Sequence, residues 1–593
     1  MKGGWECVSC SLSLSLSLSL SLSLSLSLPL SPSLLPRLFV HRPLGVLIQP
    51  KDFIPRQTSG TILCTAPTRQ HWRFDMANVF VILFLVLDWL VLLQSAKILT
   101  VCLIGGSHYM LMDEVSHSFH QSGHSVRMLL QLGNPVIKGL EYAGRPNSYE
   151  LTTWSPGENY IEEYNGWFFV QQKEFLLGRS NFSGFLNFMG HLAYHCDLIL
   201  SDSELMDLLR RESFDMAILD AFNPCSFLLA HFLGLRYVAF YPGSLNGPLS
   251  VGLPSPLSHV PVFNSELSDR MGLFGRLKNV VFSLVSPIAE QLIHQRFQHV
   301  AERHFLSPPA MSELYSRAEL WAFNTDFSLE FPQPLMPYTV CVGGLLSKPA
   351  RPLSQDLEDF IGQYPEEGFI VVTLGSMVSS VPLEELLREM NAGFAQIPQG
   401  VVWRYHPLRW PPHIQPAPNV KLVDWLPQND LLGHPKVRLL VTHGGQNSLL
   451  QAVYHAVPVL GVPLFGDQFD NLVRVEAKGL GLAVKPTDIQ RDVLSGTVTT
   501  LITDPRYKAS AESLSRIHRS LPHPPGQRLV LWVEHVMQSG GGSHLWPFSL
   551  QQPWYQRCLL DVALLVALVT LGLVNLGVAA FQSYEGRSKL KPD

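Results

Sequence analysis

The amino-acid sequence predicts an α/β protein made of two facing Rossmann-like halves, followed by one C-terminal transmembrane helix. Short apolar runs that end in glycine or polar residues alternate with amphipathic segments, the pattern of a parallel sheet with helices on its faces. A Pro-rich polar stretch, residues 347–360, interrupts this alternation once, after which it restarts. A run of twenty uncharged residues, 562–581, lies near the C-terminus and is long enough to cross a bilayer.

The first predicted half begins with "KILTVCLIGG", residues 97–106, an apolar run that two glycines stop. The sequence "MDEVSHSFHQSGHSVRML" then predicts an amphipathic helix, a glycine-containing turn and a second strand. The same pattern, an apolar strand followed by a loop, recurs in "FDMAILDAF" (214–222) and "LRYVAFYPG" (235–243). These segments predict a doubly wound sheet.

One segment of the first half differs from this pattern. "GLFGRLKNVVFSLVSPIAEQLI", residues 272–293, has apolar residues at helical spacing and few charges. Such a helix lies on a membrane surface or packs against the first half, and we favour packing.

The second predicted half contains the strands "FIVVTLGSM", "GVVWRYH", "VKLVDWL", "VRLLVTHGG" and "VPVLGVPLF". Ligands of doubly wound sheets bind beyond the carboxyl ends of the strands. The glycine and polar breaks fall at those ends, so we expect the ligand there.

Composition excludes some classes of protein. A chain of 593 residues is too long for one core, and a net charge of -5 without a basic block argues against nucleic acid as a partner. The eight cysteines are scattered, and the one CxxC pair is Cys7 and Cys10. We therefore predict neither a zinc site nor a disulfide framework, and leave one or two bridges among the later cysteines open.

The N-terminal 75 residues do not predict a folded domain. Residues 11–28 are nine Ser-Leu pairs, a repeat that cannot specify a packed core, so Met76 is the expected initiator. Residues 76–96 have the form of a secretory signal peptide, which would leave a mature chain starting at Lys97. If the leader is translated, this signal is internal and would stay in place as an anchor.

The C-terminal end predicts a type I membrane protein with a luminal body. Arg587, Lys589 and Lys591 follow the apolar run and favour a cytoplasmic tail, residues 582–593. The two lysines have the spacing of a dilysine retrieval signal to the endoplasmic reticulum. Asn181 opens the one N-glycosylation sequon of the sequence, which luminal exposure would make usable.

The stretch "LLVTHGGQNSLLQAVYHAVPVLGVPLFGDQFDN", residues 439–471, predicts a ligand site at two strand ends. After the first strand the chain turns at Gly445 and starts a helix, whose free N–H groups and dipole suit a diphosphate. Around this turn lie polar and aromatic side chains suited to phosphate, sugar hydroxyls and a base. They are His443, Asn447, Ser448, Gln451, Asp467, Gln468, and upstream Trp425 and Gln428.

The longer segment from Trp425 to Asn471, "WLPQNDLLGHPKVRLLVTHGGQNSLLQAVYHAVPVLGVPLFGDQFDN", resembles the signature of UDP-glycosyltransferases, the superfamily of the vertebrate UDP-glucuronosyltransferases. The resemblance extends from Met76 to Asp593. The segments "GGSHYMLMDEVS", "ELWAFNTDFSLEFPQPL", "VGGLLSKP" and "SLQQPW" are most similar to family 3. The resemblance implies a GT-B fold and an inverting transfer that needs no metal or other cofactor.

The resemblance also implies roles for individual residues. Trp425 would stack on uracil beside Gln428, while His443, Asn447 and Ser448 hold the diphosphate. Asp467 and Gln468 would read the sugar, and Ser376 falls in the family's loop near the phosphates. Gln451 stands where the family usually has a glutamate that bonds the ribose hydroxyls. We therefore expect weakened donor binding, which Gln451→Glu should strengthen.

The catalytic base is expected from the first half. His108, after the first strand of the mature chain, matches the family's catalytic histidine, and Asp220, at the end of "FDMAILD", matches its partner. A histidine can remove the proton of an attacking hydroxyl near neutral pH, and a carboxylate behind it fixes the tautomer.

These observations predict an endoplasmic-reticulum membrane enzyme. It would transfer a neutral hexose, N-acetylhexosamine or xylose from a UDP-sugar to a hydroxyl of a small lipophilic acceptor. Glucuronate is the alternative donor sugar, and a non-catalytic binding relative is the alternative class. Assembly into homo- or hetero-oligomers is left open. The predicted domains are the leader (1–75), signal peptide (76–96), acceptor-binding half (97–346), linker (347–360), UDP-sugar-binding half (361–520), C-terminal return segment (521–556), transmembrane helix (562–581) and tail (582–593).

Overall fold

The computed structural model describes residues 95–133, 148–179, 181–245, 247, 249–378 and 380–588, and the side chains up to residue 585. The chain divides into two compact units, residues 1–83 and 84–593, and every described residue belongs to the second. The predictions for the leader, for nearly all of the signal peptide, for the side chain of Arg587 and for Lys589 and Lys591 therefore concern parts outside the described structure.

Thirteen strands form two sheets within the described ranges. They are β1 (Lys97–Cys102), β2 (Ser125–Gln131), β3 (Glu150–Trp154), β4 (Met216–Asp220), β5 (Tyr237–Tyr241), β6 (Trp321–Phe323), β7 (Thr339–Cys341), β8 (Phe369–Thr373), β9 (Gly400–Arg404), β10 (Val420–Val423), β11 (Val437–Thr442), β12 (Val459–Gly461) and β13 (Gly481–Ala483).

The α-helices of the described residues alternate with these strands. They are α1 (Ser107–Gln121), α2 (Glu158–Leu176), α3 (Phe182–Ser201), α4 (Ser203–Arg211), α5 (Cys225–Phe232), α6 (Leu273–His304), α7 (Met311–Ser316), α8 (Gln355–Gly362), α9 (Glu384–Ala395), α10 (Gln428–Leu432), α11 (Gln446–Tyr454), α12 (Gln468–Ala477), α13 (Arg491–Thr503), α14 (Pro505–Arg519), α15 (Pro525–Gln538), α16 (Trp554–Arg557) and α17 (Leu560–Ser588). Helix α8 begins inside the segment predicted as a linker.

Both sheets are parallel throughout and doubly wound. The first has the order β3-β2-β1-β4-β5-β6-β7, and the second has the order β10-β9-β8-β11-β12-β13. Apolar clusters cover both faces of each sheet. The strand order reverses between β1 and β4 and between β8 and β11, and ligands of such sheets bind at these two points.

Helix α15 crosses back from the second half to the first. Its Leu529, Val533 and Val536 are buried in the cluster that covers one face of the first sheet. Nε2 of His124, next to β2, lies 3.1 Å from a carboxylate oxygen of Glu534. The chain therefore passes between its halves twice, once before β8 and once after α14.

A buried polar interface joins the two halves. Nε of Arg474 lies 2.9 Å from a carboxylate oxygen of Glu330, and both side chains are almost fully buried. The Nε–H of Arg474 does not point at this oxygen closely enough for a hydrogen bond, so the contact is an ion pair. The side chain of Gln446 donates to Oγ1 of Thr325 at 2.9 Å. Breaking such a buried pair from one side is costly, so these contacts hold one arrangement of the halves.

One disulfide is present in the described chain, between Cys196 in α3 and Cys225 at the start of α5. Sequence analysis allowed one or two bridges among the later cysteines but did not identify which cysteines pair. Cys102, Cys341 and Cys558 are free thiols.

Helix α17 contains the predicted transmembrane segment. Its stretch Leu560–Glu585 has a mean hydropathy of 2.5 and none of its most apolar part is buried, so by length and composition it can cross a membrane. It is the one such helix among the described residues.

Candidate active site

A cavity of about 2120 Å³ lies between the two halves, beyond the carboxyl ends of both sheets. Eleven of the twelve residues predicted for catalysis and donor binding line it, together with Asn181. The twelfth, Asp220, lies behind His108. The structure thus brings the sequence-predicted residues of both halves into one crevice.

His108 and Asp220 form a hydrogen-bonded pair at the switch point of the first sheet. Nδ1 of His108 lies 2.7 Å from Oδ2 of Asp220, which is buried. The other carboxylate oxygen accepts from the backbone N–H of Phe222 at 3.1 Å, and the Phe222 ring lies edge-on to the imidazole. With Nδ1 carrying the proton toward Asp220, Nε2 of His108 is left as a proton acceptor facing the cavity.

The surroundings of His108 tune its basicity. Burial lowers the pKa of the imidazole, but the charge and hydrogen bond of Asp220, with a smaller contribution from the charge of Asp467, outweigh burial and raise it. Asp467 belongs to the second half, so the two halves are close enough for its carboxylate to act on the histidine. A raised pKa makes His108 a stronger base once deprotonated.

The predicted diphosphate site is the N-terminus of α11. No side chain in the described part of the chain caps this helix at Gly445, so the first N–H groups remain available for an anion. The imidazole of His443 lies between two glycines. A Cβ at Gly375 or at Gly445 would come within 2.5 Å of a ring atom, so both positions require glycine.

The imidazole of His443 is neutral in this site. Burial, and then the charge of Arg404, lower its pKa to about 4. Its Nδ1 lies 3.2 Å from Oγ1 of Thr442. In the tautomer in which Nδ1 accepts from this hydroxyl, the proton is on Nε2 and can be donated to a phosphate oxygen.

Gln428, Ser448 and Gln451 form a hydrogen-bonded group. Nε2 of Gln428 donates to Oγ of Ser448 at 3.0 Å and to Oε1 of Gln451 at 2.7 Å. The amide nitrogen of Gln451 donates to the carbonyl of Leu346 at 2.9 Å. Leu346 precedes the connection between the halves, so Gln451 links the second half to the end of the first.

Asp467 and Gln468 lie at the start of α12. One oxygen of Asp467 accepts from Asn471 at 2.8 Å, and burial raises the pKa of this carboxyl. Oε1 of Gln468 accepts from the backbone N–H groups of Leu464 and Phe465, which leaves its amide nitrogen as a donor. Together the two side chains offer an acceptor and a donor to adjacent sugar hydroxyls.

Contacts between the halves set the position of two predicted residues. Oγ of Ser376 accepts from the backbone N–H of Ser107 at 3.1 Å, next to His108. The buried Asn324 follows β6 and donates to Oδ1 of Asn447 at 2.8 Å and to the carbonyl of Pro242. Because Oδ1 of Asn447 accepts there, its amide N–H groups are directed elsewhere.

Sequence reasoning missed Arg404 and Asn324. Arg404 ends β9, lines the cavity and has its guanidinium carbon 5.4 Å from the centre of the Trp425 ring. Its Nε is buried and has no hydrogen-bond partner among the described residues. Both residues stand at carboxyl ends of strands, so the strand-end rule applied to every strand would have found them.

Two facing Rossmann-like halves with a ligand crevice between them form the GT-B fold. Solved GT-B structures have the same fold: a UDP-glucosyltransferase from Polygonum tinctorium in complex with 3,4-dichloroaniline superposes with a TM-score of 0.53 at 18% identity, covering 75% of this chain and 99% of that one. The glycosyltransferase VinC, bound to DTDP, gives a TM-score of 0.51 at 18% identity, covering 75% and 100%.

The family follows from the sequence comparisons. The profile described as "UDP-glucoronosyl and UDP-glucosyl transferase" matches residues 96–587. UDP-glucuronosyltransferase 3A1 of Xenopus laevis is 45% identical over 505 residues, 85% of this chain and 96% of the relative. The human 2-hydroxyacylsphingosine 1-beta-galactosyltransferase is 33% identical over 480 residues, 80% and 86% of the two chains. The chain belongs to the UDP-glucuronosyl and UDP-glucosyl transferase family, and it is a UDP-glycosyltransferase.

Proposed function

We propose that the enzyme transfers a neutral sugar from a UDP-sugar to the hydroxyl of a small lipophilic acceptor. The observation that carries this proposal is the His108–Asp220 pair, which opens onto the same cavity as the residues of the other half that are predicted to bind the nucleotide. Such a pair also argues against a non-catalytic relative. Much of the cavity wall near the first sheet is aromatic or aliphatic, which suits an apolar acceptor: Phe168, Phe175, Phe185, Phe188, Phe222 and Leu253.

The proposed reaction proceeds in one displacement. Nε2 of His108 removes the proton of the acceptor hydroxyl while its oxygen attacks the anomeric carbon of the sugar. The bond from that carbon to the β-phosphate oxygen breaks, UDP leaves, and the configuration inverts. Asp220 stabilises the imidazolium that forms, as in a hydrolase triad.

The departing UDP gains negative charge, which the second half is built to receive. The N–H groups at the start of α11, the neutral His443 and the cation of Arg404 face that part of the cavity. We propose that these groups replace a metal ion, so that chelators should leave the activity unchanged. Trp425 is proposed to stack on the uracil.

The donor sugar is assigned from resemblance. The segments similar to family 3, and the similarity to the human galactosyltransferase, favour a neutral hexose. Glucuronate is the second candidate, because the 3A relatives are named glucuronosyltransferases. Membranes from cells that express the chain should be incubated with UDP-glucose, UDP-N-acetylglucosamine, UDP-xylose and UDP-glucuronate and a panel of phenols and steroids. His108→Ala membranes are the matched control, and transfer only from UDP-glucuronate would contradict the neutral-sugar assignment.

We further propose an endoplasmic-reticulum location, with the two halves in the lumen and a role in modifying lipophilic compounds. The side chain of Asn181 is exposed at the start of α3, where it accepts from the backbone N–H of Gly184 at 2.8 Å. Luminal Asn181 should carry a glycan, so a glycosidase should shift the mobility of the wild type but not of Asn181→Gln. A C-terminus protected from protease in sealed microsomes would contradict this topology.

A further inference from the structure

Helix α6 is oriented with its apolar side outward along its first four turns. Six large apolar side chains there are more than half exposed: Leu273 (70%), Phe274 (83%), Leu277 (59%), Leu284 (68%), Val285 (55%) and Ile288 (62%). Their spacing places them on one side of the helix. A contiguous exposed apolar surface of this kind marks an interaction site rather than ordinary surface.

Along these first turns, the side of α6 that faces the protein is polar, whereas Phe297, Val300 and Ala301 near its C-terminal end are buried in the apolar core. Asn279 is fully buried, with its oxygen accepting from the backbone N–H of Val262 at 2.7 Å and its nitrogen donating to the carbonyl of Val260 at 2.8 Å. Three turns further along the helix, Glu290 accepts from the backbone N–H of Ser250 at 3.2 Å. A helix of a water-soluble protein has the opposite arrangement, with its apolar side toward the core. The segment packs on the first half, as the sequence predicts, but along its first turns it does so through its polar face, and apolar packing begins at Ile293.

We propose that this outward face of α6 lies on the bilayer that α17 spans, and that lipophilic acceptors enter the cavity from that bilayer. The second part rests on the proposed function, whereas the first does not. An amphipathic helix in this position would bury its apolar face about 5–10 Å into the boundary of headgroups and acyl chains. Arg276 and Lys278 are exposed at the two margins of the face, where they can reach anionic headgroups.

The contacts of α6 connect it to the segment that enters the membrane. Glu290 bonds Ser250, and a Cβ added at Gly252, two residues later, would lie 3.5 Å from a methyl carbon of Leu550. Leu550 precedes the start of α17 by ten residues, which cannot extend beyond about 35 Å. Between them Trp554 is 69% exposed, an aromatic residue typical of the membrane–water interface. A bilayer around α17 is therefore within reach of α6, which favours lipid over a second protein as the occupant.

The outward face of α6 continues into the wall of the cavity. Val285, Ile288 and Leu292 are exposed to solvent and also line the cavity. Phe282 lines it from the same helix. An apolar molecule dissolved in the lipid would thus pass from the bilayer to the cavity over an apolar surface, without first dissolving in water.

Photo-crosslinking tests the bilayer contact with the full-length chain. A benzophenone amino acid is placed at Phe274 or at Leu284, and at Leu408 as the control, because Leu408 is 92% exposed but lies in the second half. The protein is reconstituted in vesicles of phosphatidylcholine and phosphatidylserine, irradiated and analysed by mass spectrometry. We expect several-fold more lipid adduct at Phe274 and Leu284 than at Leu408. Equal yields, or adducts between two protein chains in place of lipid adducts, would overturn the proposal.

A kinetic comparison tests the entry route. The double variant Leu277→Glu, Leu284→Glu places charges on the outward face without touching the cavity, and Leu408→Glu is its control. The KM of an acceptor that partitions into the vesicles should rise several-fold with kcat unchanged, while the KM of a water-soluble phenol stays the same. An unchanged KM for the lipid-soluble acceptor would overturn the entry route. The lipid adducts need no turnover, so an error in the proposed reaction would leave the crosslinking result unaffected.

Discussion

Replacing Gln451 by glutamate separates two effects of this side chain, one on the UDP-sugar and one on the fold. A carboxylate would accept from the ribose hydroxyls, and hydrogen bonds to a charged group contribute about 1.5–3 kcal/mol against about 0.5–1.5 kcal/mol for neutral ones. The difference, about 1–2 kcal/mol, corresponds to roughly tenfold tighter binding of UDP. Because ribose is remote from the reacting bond, the KM of the donor should fall more than kcat changes.

The structure adds a cost that the sequence alone did not indicate. The amide nitrogen of Gln451 donates to the carbonyl of Leu346 at 2.9 Å, and a carboxylate cannot donate this bond. Leaving a fully buried carbonyl without its partner costs about 1–3 kcal/mol, and the partly buried carbonyl of Leu346 should cost up to that amount. This loss occurs with and without UDP, so it should lower the free energy of unfolding rather than the affinity.

Calorimetric titration with UDP and a thermal unfolding curve measure the two effects on the same preparations. Gln451→Glu should bind UDP more tightly and unfold at a lower temperature than the wild type. Gln451→Met, a control of similar size, should unfold at a lower temperature and bind UDP more weakly. Equal affinities of the wild type and the glutamate variant would show that the ribose is held elsewhere. An unchanged unfolding temperature would show that the bond to Leu346 contributes no stability.

Four further predictions concern the base, the contact between the halves and the leader. His108→Ala should slow transfer about 10²–10⁴-fold while UDP binding stays nearly intact, and wild-type turnover would refute the mechanism. Because the pKa of His108 is raised above the usual 6.5, kcat/KM should fall as the pH drops through a value above 6.5. In Asp220→Asn the rate should be lower, and the fall of kcat/KM should occur at a lower pH. If that pH is unchanged, the titrating group is not His108. Asn324→Leu should weaken binding of UDP, measured by calorimetry, by roughly 2–10-fold, the contribution of one neutral hydrogen bond to Asn447, and leave uridine binding unchanged. Equal losses for both ligands would contradict this. Translation from Met76 alone should give full membrane integration and activity, and loss of both would show that the leader is needed.

The general plan of the molecule could be predicted because it depends on local patterns. The alternation of strands and helices gave two parallel sheets, and glycine breaks at strand ends located His443 and Asp467 in the second half. His108 and Asp220 came from the resemblance, and the structure places them 2.7 Å apart at the switch point of the first sheet.

The features that could not be predicted depend on which surfaces meet. Arg404 ends an ordinary apolar strand without a glycine beside it, and Asn324 acquires its role only when the second half brings Asn447 against it. Helical periodicity predicted α6 but does not say which of its faces points inward. The partners of the disulfide, Cys196 and Cys225, are 29 residues apart in sequence, and their spacing alone does not pair them.

The return of α15 to the first half has a consequence for recombination between related genes. A single crossover in the connection before β8 would attach one parent's first half to the other parent's β8–β13 together with its α15. Surfaces inherited from different parents would then meet at the Glu330–Arg474 pair, and again where Leu529 and Val533 pack against the first sheet. A second crossover after α14 would restore the parental packing of α15, so viable hybrids of this family should more often inherit the second half as an internal cassette than as a C-terminal block.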